Sequence, residues 1–404
     1  MSAVPKLRFP EFGGEWVRSR IDEIGTLKSG VGFPEKEQGG LEGTPFYKVS
    51  DMNIPENSQE MVLANNYVTE EQIKRLKYKP IASNSIIFAK VGAAIFLDRK
   101  RQARNFLLDN NMMAFLPSPE IDFRFIYQVF LQLNLAKFAQ VGALPSYNAS
   151  DIGIIKVQIP SLPEQQKIAS FLSSVDKKID LLRQKKDALE LYKKGLMQKI
   201  FSQEVRFKQG DGSDFPEWEE VALGDVAKRS TEKNKDLELT LVLTNSAVQG
   251  VVIQTEYFDK SIANEANISG YYKIRKYDFV YNPRISSSAP VGPISQNLKE
   301  DGVMSPLYTI FRVEVQHQGF LSVYFKSSVW YDYMRSVANQ GARHDRMNIT
   351  TSDFMALPID LPCAEEQEKI ADFLSALDAK IQKTSSMLDQ METFKKGLLQ
   401  QMFV

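Results

Sequence analysis

The stretch EQQKIASFLSSVDKKIDLLRQKKDALELYKKGLMQKIF, residues 164–201, is written a second time as EQEKIADFLSALDAKIQKTSSMLDQMETFKKGLLQQMF at residues 366–403. At a constant offset of 202 the two 38-residue copies are identical at 19 positions. Each carries apolar residues at alternating steps of three and four. In the first copy these are Ile168, Leu172, Val175, Ile179, Leu182, Leu189, Leu196 and Ile200. In the second they are Ile370, Leu374, Leu377, Ile381, Leu388, Met391, Leu398 and Met402. That spacing, sustained over about five heptads, is the seam of a coiled coil. At ~1.5 Å per residue each helix spans about 57 Å, too long for a routine core element. Two ordinary core helices of a duplicated domain are the plainer alternative. Lys186, Lys193 and Lys395 interrupt the seam and are expected to be solvated or to face a partner.

The repeat extends beyond the helices. Trp16 matches Trp218 and Ile21 matches Leu223 at the same offset, so whole units are duplicated: a globular segment, then a long helix, twice. The expected fold class is α+β, with mixed strands and short helices in each globular segment. The expected boundaries are 1–162 and 204–362 for the globular segments, and 163–203 and 363–404 for the helices. A turn at 210–214 marks the joint between the two units. Such a plan suggests a pseudo-two-fold arrangement with the helices side by side.

Within the first unit, residues 67–79 read as a short helix, 84–97 as a buried strand bending at Gly92, and 122–139 as helical. DRKRQARN at 98–105 reads as a basic loop carrying Arg99, Lys100, Arg101 and Arg104, and 142–160 as a polar loop leading into a strand. In the second unit, residues 239–252 read as strand, turn, strand, and 319–339 as a helix. The strands at 86–88 and 279–281 hold equivalent places, each leading into a cation, Lys90 or Arg284. Ser161-Leu-Pro-Glu164 has the pattern of a capping box with proline in the first turn.

Composition narrows the classes. A chain of 404 residues with 43% hydrophobic and 25% charged side chains is sized for two or three globular domains. No apolar run approaches the ~20 residues that span a bilayer, and MSAVPKLRFPEF lacks the apolar core of a signal peptide. One cysteine, Cys363, excludes an internal disulfide and suits the cytoplasm. Two histidines, His317 and His344, exclude a His-rich metal site. The net charge is zero, so any anion-binding surface must be local. No phosphate-binding loop is present, and Gly30-Val-Gly32 is too short for a nucleotide fingerprint. Asn282-Pro283 is followed by arginine, unlike the Asn-Pro-Pro-aromatic tetrapeptide of amino-methyltransferases. No GxSxG, HExxH or EF-hand pattern occurs. The polypeptide is expected to catalyse nothing alone.

Binding chemistry remains. Arg343, His344, Arg346 and Asn348 fall within six residues, and Tyr147 with Asn148 lies in the corresponding loop of the first unit. Tyr281-Asn-Pro-Arg284 is followed by three serines, Ser286, Ser287 and Ser288. Arginine can bond bidentately to guanine and asparagine to adenine, while lysines and backbone amides grip phosphates. Taken singly, each of these is as readily a solvated loop residue. Recurrence at matching places in both units is what lifts the set.

These residues and motifs resemble the specificity subunit of type I restriction–modification systems. The resemblance is carried by IPSLPEQQKIASFL (159–172) with LPCAEEQEKIADFL (361–374), by YKKGLMQKIF with FKKGLLQQMF, and by GTPFYKVSDMN, SIIFAKVG, DFVYNPR and LRFPEF. Glu365 replaces the proline equivalent to Pro163, and Thr384 replaces Leu182. The resemblance implies two target recognition domains and an antiparallel coiled coil of the two helices. Each domain would read one half of a bipartite sequence in double-stranded DNA. It implies two methyltransferase subunits as partners, bringing S-adenosylmethionine, and motor–nuclease subunits using ATP and magnesium. No cofactor is expected on this chain itself. The expected DNA-facing residues, chosen by residue type and loop position, are Lys90, Arg99, Arg101, Arg104, Tyr147 and Asn148 in the first unit. In the second they are Arg284, Ser286, Ser287, Arg343, His344, Arg346 and Asn348. The rival reading is a coiled-coil scaffold with no DNA role. On the restriction reading the helix pair acts as a ruler for the half-site spacing.

Overall fold

The computed structural model describes residues 4–140, 144–257, 268–339 and 345–404. Both repeated stretches are unbroken helices, Leu162–Phe201 and Ala364–Met402. The compact units cut through them: one comprises Met1–Leu181 with Leu388–Val404, the other Leu182–Met387. Each unit thus owns the first half of one long helix and the last half of the other. This division differs from the expected joint at 210–214, because each helix half packs against the domain at its own end. Residues 210–214 do form a tight turn, closed by the Gln209 amide donating to the Ser213 carbonyl at 2.9 Å.

In the first unit β1 (Val17–Arg20) pairs antiparallel with β9 (Lys156–Ile159) beside the long helix. A four-stranded antiparallel sheet follows the order β2 (Gly25–Ser29), β8 (Met112–Pro117), β5 (Ser85–Ala89), β6 (Lys100–Ala103). A smaller sheet places β3 (Thr44–Tyr47) between β4 (Tyr67–Val68) and β7 (Leu107–Leu108). All five residues of β5, SIIFA, are buried, as suits a central strand rich in β-branched residues. Gly92, just beyond it, has φ of 81°, which supplies the expected bend. The short helix Glu70–Leu76 starts at Thr69, whose hydroxyl accepts from the Gln72 amide.

The second unit repeats this frame. β10 (Glu219–Ala222) pairs with β19 (Pro358–Leu361), each 202 residues beyond its counterpart. The four-stranded sheet runs β11 (Ala227–Ser230), β18 (Thr309–Val313), β15 (Phe279–Tyr281), β16 (Ile294–Gln296). The expected hairpin is β12 (Leu243–Ser246) with β13 (Gly250–Ile253), and β14 (Tyr272–Ile274) pairs with β17 (Gly302–Met304).

Three local expectations are corrected. Residues 98–105 are not a loop: β6 is the edge strand, and Lys100 turns inward to an ion pair with Asp98 at 2.7 Å. The outer side of β6 is covered by the chain at 59–61: the Met61 amide donates to the Gln102 carbonyl at 2.8 Å and the Gln102 amide to that of Gln59 at 2.9 Å. Residues 319–339 hold two helices, Val315–Tyr324 and Tyr331–Val337, separated where the Ser327 hydroxyl caps the Tyr324 carbonyl and Trp330 enters the core. The polar loop at 142–160 contains a short helix, Ala149–Gly153.

The glutamate of the repeated EQ pair docks each domain onto its helix. Glu164 is buried and accepts from Arg8 Nε and Nη2, both at 2.7 Å, and from Trp16 Nε1 at 3.2 Å. Glu366 is buried likewise and accepts from Arg206 Nη2 at 2.8 Å and Trp218 Nε1 at 3.0 Å. The carboxylate expected to close a capping box at Ser161 is thus directed at Arg8 and Trp16 instead. The glutamines beside these glutamates hold the helix starts. Gln165 Nε2 donates to the Pro160 carbonyl at 2.9 Å and Gln367 Nε2 to that of Pro362 at 2.6 Å. Aromatic triads complete the docking: Trp16, Phe125 and Phe403 in one unit, Trp218, Phe320 and Phe201 in the other.

Most of the predicted seam is buried, from Ile168 and Leu172 to Leu398 and Met402. In the first unit the start of the first helix meets the end of the second around Trp16, and Asp176 meets Lys395 further along, so the segments run antiparallel. Trp218, Lys193 and Asp378 establish the same sense in the second unit. Lys193 and Lys395 are therefore not solvated: each crosses to an aspartate on the facing helix segment. Lys186 stays half-buried on its own helix, 3.8 Å from Glu190.

Candidate functional site

At the end of β5 the chain passes from Ala89 into Lys90, whose amide donates to Asn111 and whose carbonyl accepts from Tyr147 at 3.2 Å. Gly92 donates to the Pro145 carbonyl at 2.8 Å, and Val91 bridges to Ser146. The loop after β5 is thereby zipped to the loop before the Ala149–Gly153 helix. The second unit builds the same junction. Met347 donates to Pro283 at 2.8 Å, Ile285 donates to Asp345 at 3.1 Å, and Arg284 bridges to Arg346. Sequence reading placed candidates on both loops of each unit, and backbone pairing brings those loops together.

The side chains divide into exposed and committed groups. Lys90 Nζ donates to Ser29 Oγ at 3.0 Å, at the end of β2, which adds Ser29 to the site. Asn148 is exposed, but its Oδ1 accepts from the Asp151 amide at 3.0 Å as a helix cap. Tyr147 corrects an expectation. It is buried and its hydroxyl donates to the Ala89 carbonyl at 2.5 Å, so it positions the Lys90 loop instead of facing outward. Burial pushes its phenol above the ordinary tyrosine range.

Arg99 and Arg101 are also turned to the protein. Arg99 Nη1 donates to the Met52 carbonyl and to Asn53 Oδ1, at 3.0 and 2.7 Å. Arg101 Nε donates to the Asn57 carbonyl at 2.7 Å. Arg104 is exposed, but the pairing of Ser85 with Ala103 puts it at the far end of the sheet from Lys90. The structure therefore gathers Lys90, Tyr147 and Asn148 and leaves Arg101 and Arg104 apart from them.

In the second unit Arg284 is exposed and has no side-chain partner among the described residues. Arg346 is half-buried, its Nε 3.4 Å from Asp345 Oδ2. Two guanidiniums on paired loop segments, only one of them beside a carboxylate, leave an excess positive charge suited to an anion. Ser286 and Ser287 are exposed beside them, and Ser286 Oγ also accepts from the Ala289 amide. Asn348 is exposed in the same loop. Arg343 and His344 lie outside the described residues. Sequence reading missed Arg229, at the end of β11, which donates to Thr351 Oγ1 at 2.6 Å near the same junction. Its signal was an exposed cation in a strand facing the loop.

Asn282 holds the Arg284 loop in place. It is buried, donates to the Asn245 carbonyl at 2.9 Å, and accepts from the Arg284 amide at 3.1 Å. Gly292 permits this path: a Cβ there would lie 2.1 Å from the Asn282 carbonyl oxygen. Among the described residues no group of three or more His, Cys, Asp or Glu side chains is arranged to hold a metal. No described helix is long and apolar enough to cross a membrane.

The comparisons agree with this duplication. The family model described as "Type I restriction modification DNA specificity domain" matches residues 13–191 and again 216–392. The chain is similar to two proteins of Methanocaldococcus jannaschii. One, provisionally named type I restriction enzyme MjaX specificity subunit, is 26% identical over 295 residues, 68% of this chain. The chain spans 65% of that relative's length. The other, type I restriction enzyme MjaVIII specificity subunit, is 26% identical over 297 residues, 69% of this chain and 68% of its own. In fold it is similar to the type I restriction–modification S subunit from M. genitalium, with a TM-score of 0.57 at 15% identity, over 99% of both chains. A chain from a structural study of type I R-M complex assembly and conformational transition gives 0.52 at 13% identity, over 95% of this chain and 96% of that one.

Proposed function

The chain belongs to the type I restriction modification DNA specificity domain family, and on that premise we propose that it is the sequence-reading subunit of a type I restriction–modification enzyme. Each domain reads one half of a bipartite target in double-stranded DNA. The observation that carries this is the recurrence, in both family-matched segments, of the same loop junction beyond the central strand, with Lys90 on one and Arg284 and Arg346 on the other. Cations and amide groups on short, backbone-zipped loops can grip phosphates and reach base edges.

The long helices set the distance between the half-sites and dock the partner subunits. Those partners are two methyltransferase subunits and, for cleavage, motor–nuclease subunits. S-adenosylmethionine, ATP and magnesium belong to them, and this chain contributes recognition without catalysis, in the cytoplasm. Reconstitution with the methyltransferase subunit tests the reading. The complex should bind and methylate a split sequence in preference to random duplex, with affinity falling steeply as salt rises. Equal binding to all duplexes, or none, overturns it in favour of a scaffold without a DNA role.

A further inference from the structure

Beyond β5, the short 3-10 turn Ala93–Leu97 presents two consecutive large apolar side chains to solvent, Phe96 at 64% and Leu97 at 61% exposure. Water disfavours such a display, and a loop with freedom to fold back would hide it. This turn has no such freedom. Gly92 at φ 81° opens it and Asp98 at φ 48° closes it, while Ile95 between them is 2% exposed and anchors it to the core. Asp98 is held in turn: its carboxylate accepts from the Leu135 amide at 3.1 Å and pairs with Lys100, itself buried. A lysine placed in the interior must keep its partners to offset desolvation, and the bonds of Lys100 to Asp98 and to the Leu133 carbonyl hold the end of the turn that presents Phe96 and Leu97.

The turn continues the candidate interface. Gly92 is bonded to Pro145, Leu144 is 62% exposed beside Gly92, and Lys90 stands two residues before it. The Asp98 charge is neutralised by Lys100 and Arg99 is committed to the Met52 carbonyl and Asn53, so Lys90, bonded to Ser29, is the cation that this loop brings to the candidate interface. An apolar point on the same short loop as a backbone-gripping cation is placed to meet a base step where Lys90 meets the phosphates. Aligned from Lys90 on Arg284, the second unit has Pro290 and the buried Val291 where the first has the exposed Phe96 and Leu97, and its loop is instead rich in hydroxyls at Ser286, Ser287 and Ser288. Resting on the DNA-recognition reading above, we propose that Phe96 and Leu97 are an apolar wedge that enters a base step of the first half-site. The two domains then read DNA by different means: the first by unstacking a step, the second by polar contacts from arginine and serine. Flexible pyrimidine–purine steps are the substrate that this favours.

The test uses the full chain assembled with its methyltransferase subunit, on duplexes carrying 2-aminopurine at successive positions of the first half-site. Wild type is expected to show salt-dependent split-site binding and a fluorescence rise at one step. Phe96→Ala with Leu97→Ala is expected to abolish that rise and weaken binding about ten- to hundred-fold, the range of base–aromatic stacking. The salt dependence should stay unchanged, since no phosphate contact is removed. Absence of split-site binding by wild type would overturn the DNA reading itself. Normal binding with no fluorescence rise, or a rise that survives in the double variant, would overturn the wedge alone. Weakened assembly with unaltered DNA binding would assign the pair to a protein partner and likewise overturn it. Both side chains are exposed, so thermal unfolding of the double variant should match wild type.

Discussion

Lys395 Nζ lies 2.6 Å from Asp176 Oδ1, joining the two long helices in the first unit, and Lys193 meets Asp378 in the second, with each partner displaced by 202 residues. The repeat thus reproduces the cross-helix ion pair as well as the apolar seam around it. Lysines that read in the sequence as interruptions of the heptad are the residues that fix its antiparallel register, since each finds an acid only in that alignment.

The first expectation concerns this pair. Lys395→Ala should cost about 0.5–1 kcal/mol in thermal unfolding, as for partly exposed ion pairs, and Lys395→Glu with Asp176→Lys should recover most of it. Burial alone would raise the Asp378 carboxyl, but bonds and charge from Lys193 and Lys326 outweigh it and hold it below its ordinary 3.8. A depressed carboxylate contributes stability present above its unfolded value and lost as pH falls through its folded one. Asp378→Asn should therefore lower stability at neutral pH and flatten its decline below about pH 3.8, which denaturant unfolding across pH would read.

The docking glutamates should be far more sensitive. Glu366 is 0% exposed and paired with Arg206 and Trp218. Arg206→Ala leaves a buried carboxylate without its cation and should cost about 3–5 kcal/mol. Glu366→Gln keeps the shape and should cost less. Equal losses for the two variants would mean that packing, and not charge, carries the contact.

On DNA, Arg284→Ala and Arg346→Ala should each weaken binding at the second half-site and leave the first intact. If a guanidinium grips a phosphate, the salt slope should fall by about 0.9 per contact and base preference should persist. If it reads a base, preference at one position should relax by about 1–3 kcal/mol. Competition binding on half-site libraries separates these outcomes. Tyr147→Phe should disturb the first half-site only through the Lys90 loop, mildly.

Inserting about one heptad into both long helices should lengthen the unread spacer and leave the two half-sites unchanged. Methylation mapping of the reconstituted complex checks this. An unchanged spacer would remove the measuring role from the helices.

The long helices and central strands were legible because periodicity and β-branched runs are local signals: the seam from Ile168 to Met402, and SIIFA at Ser85–Ala89, fall where expected. The docking of Glu164 on Arg8 was not legible, because the contact joins residues 156 apart and its motif also fits a helix cap. Lys100 misled for a related reason: charge at a buried edge-strand position looks like a loop until Asp98 is seen beside it. Of the candidate site, the sequence marked two loops in each unit that backbone pairing brings together, whereas the facing of individual side chains was not legible. Tyr147 and Asn148 are adjacent in sequence, yet one lies in the core and the other at the surface.

The sharing of both helices between the compact units has a consequence for a shortened chain. A product ending after Phe201 would carry one domain, with Asp176 in the helix half that belongs to its own unit and Lys193 in the half that belongs to the other. Two such products could complete each other, Lys193 of one copy taking Asp176 of the second where it now takes Asp378. The assembly would then carry the same domain twice, and on the proposed DNA reading its target would become a palindrome.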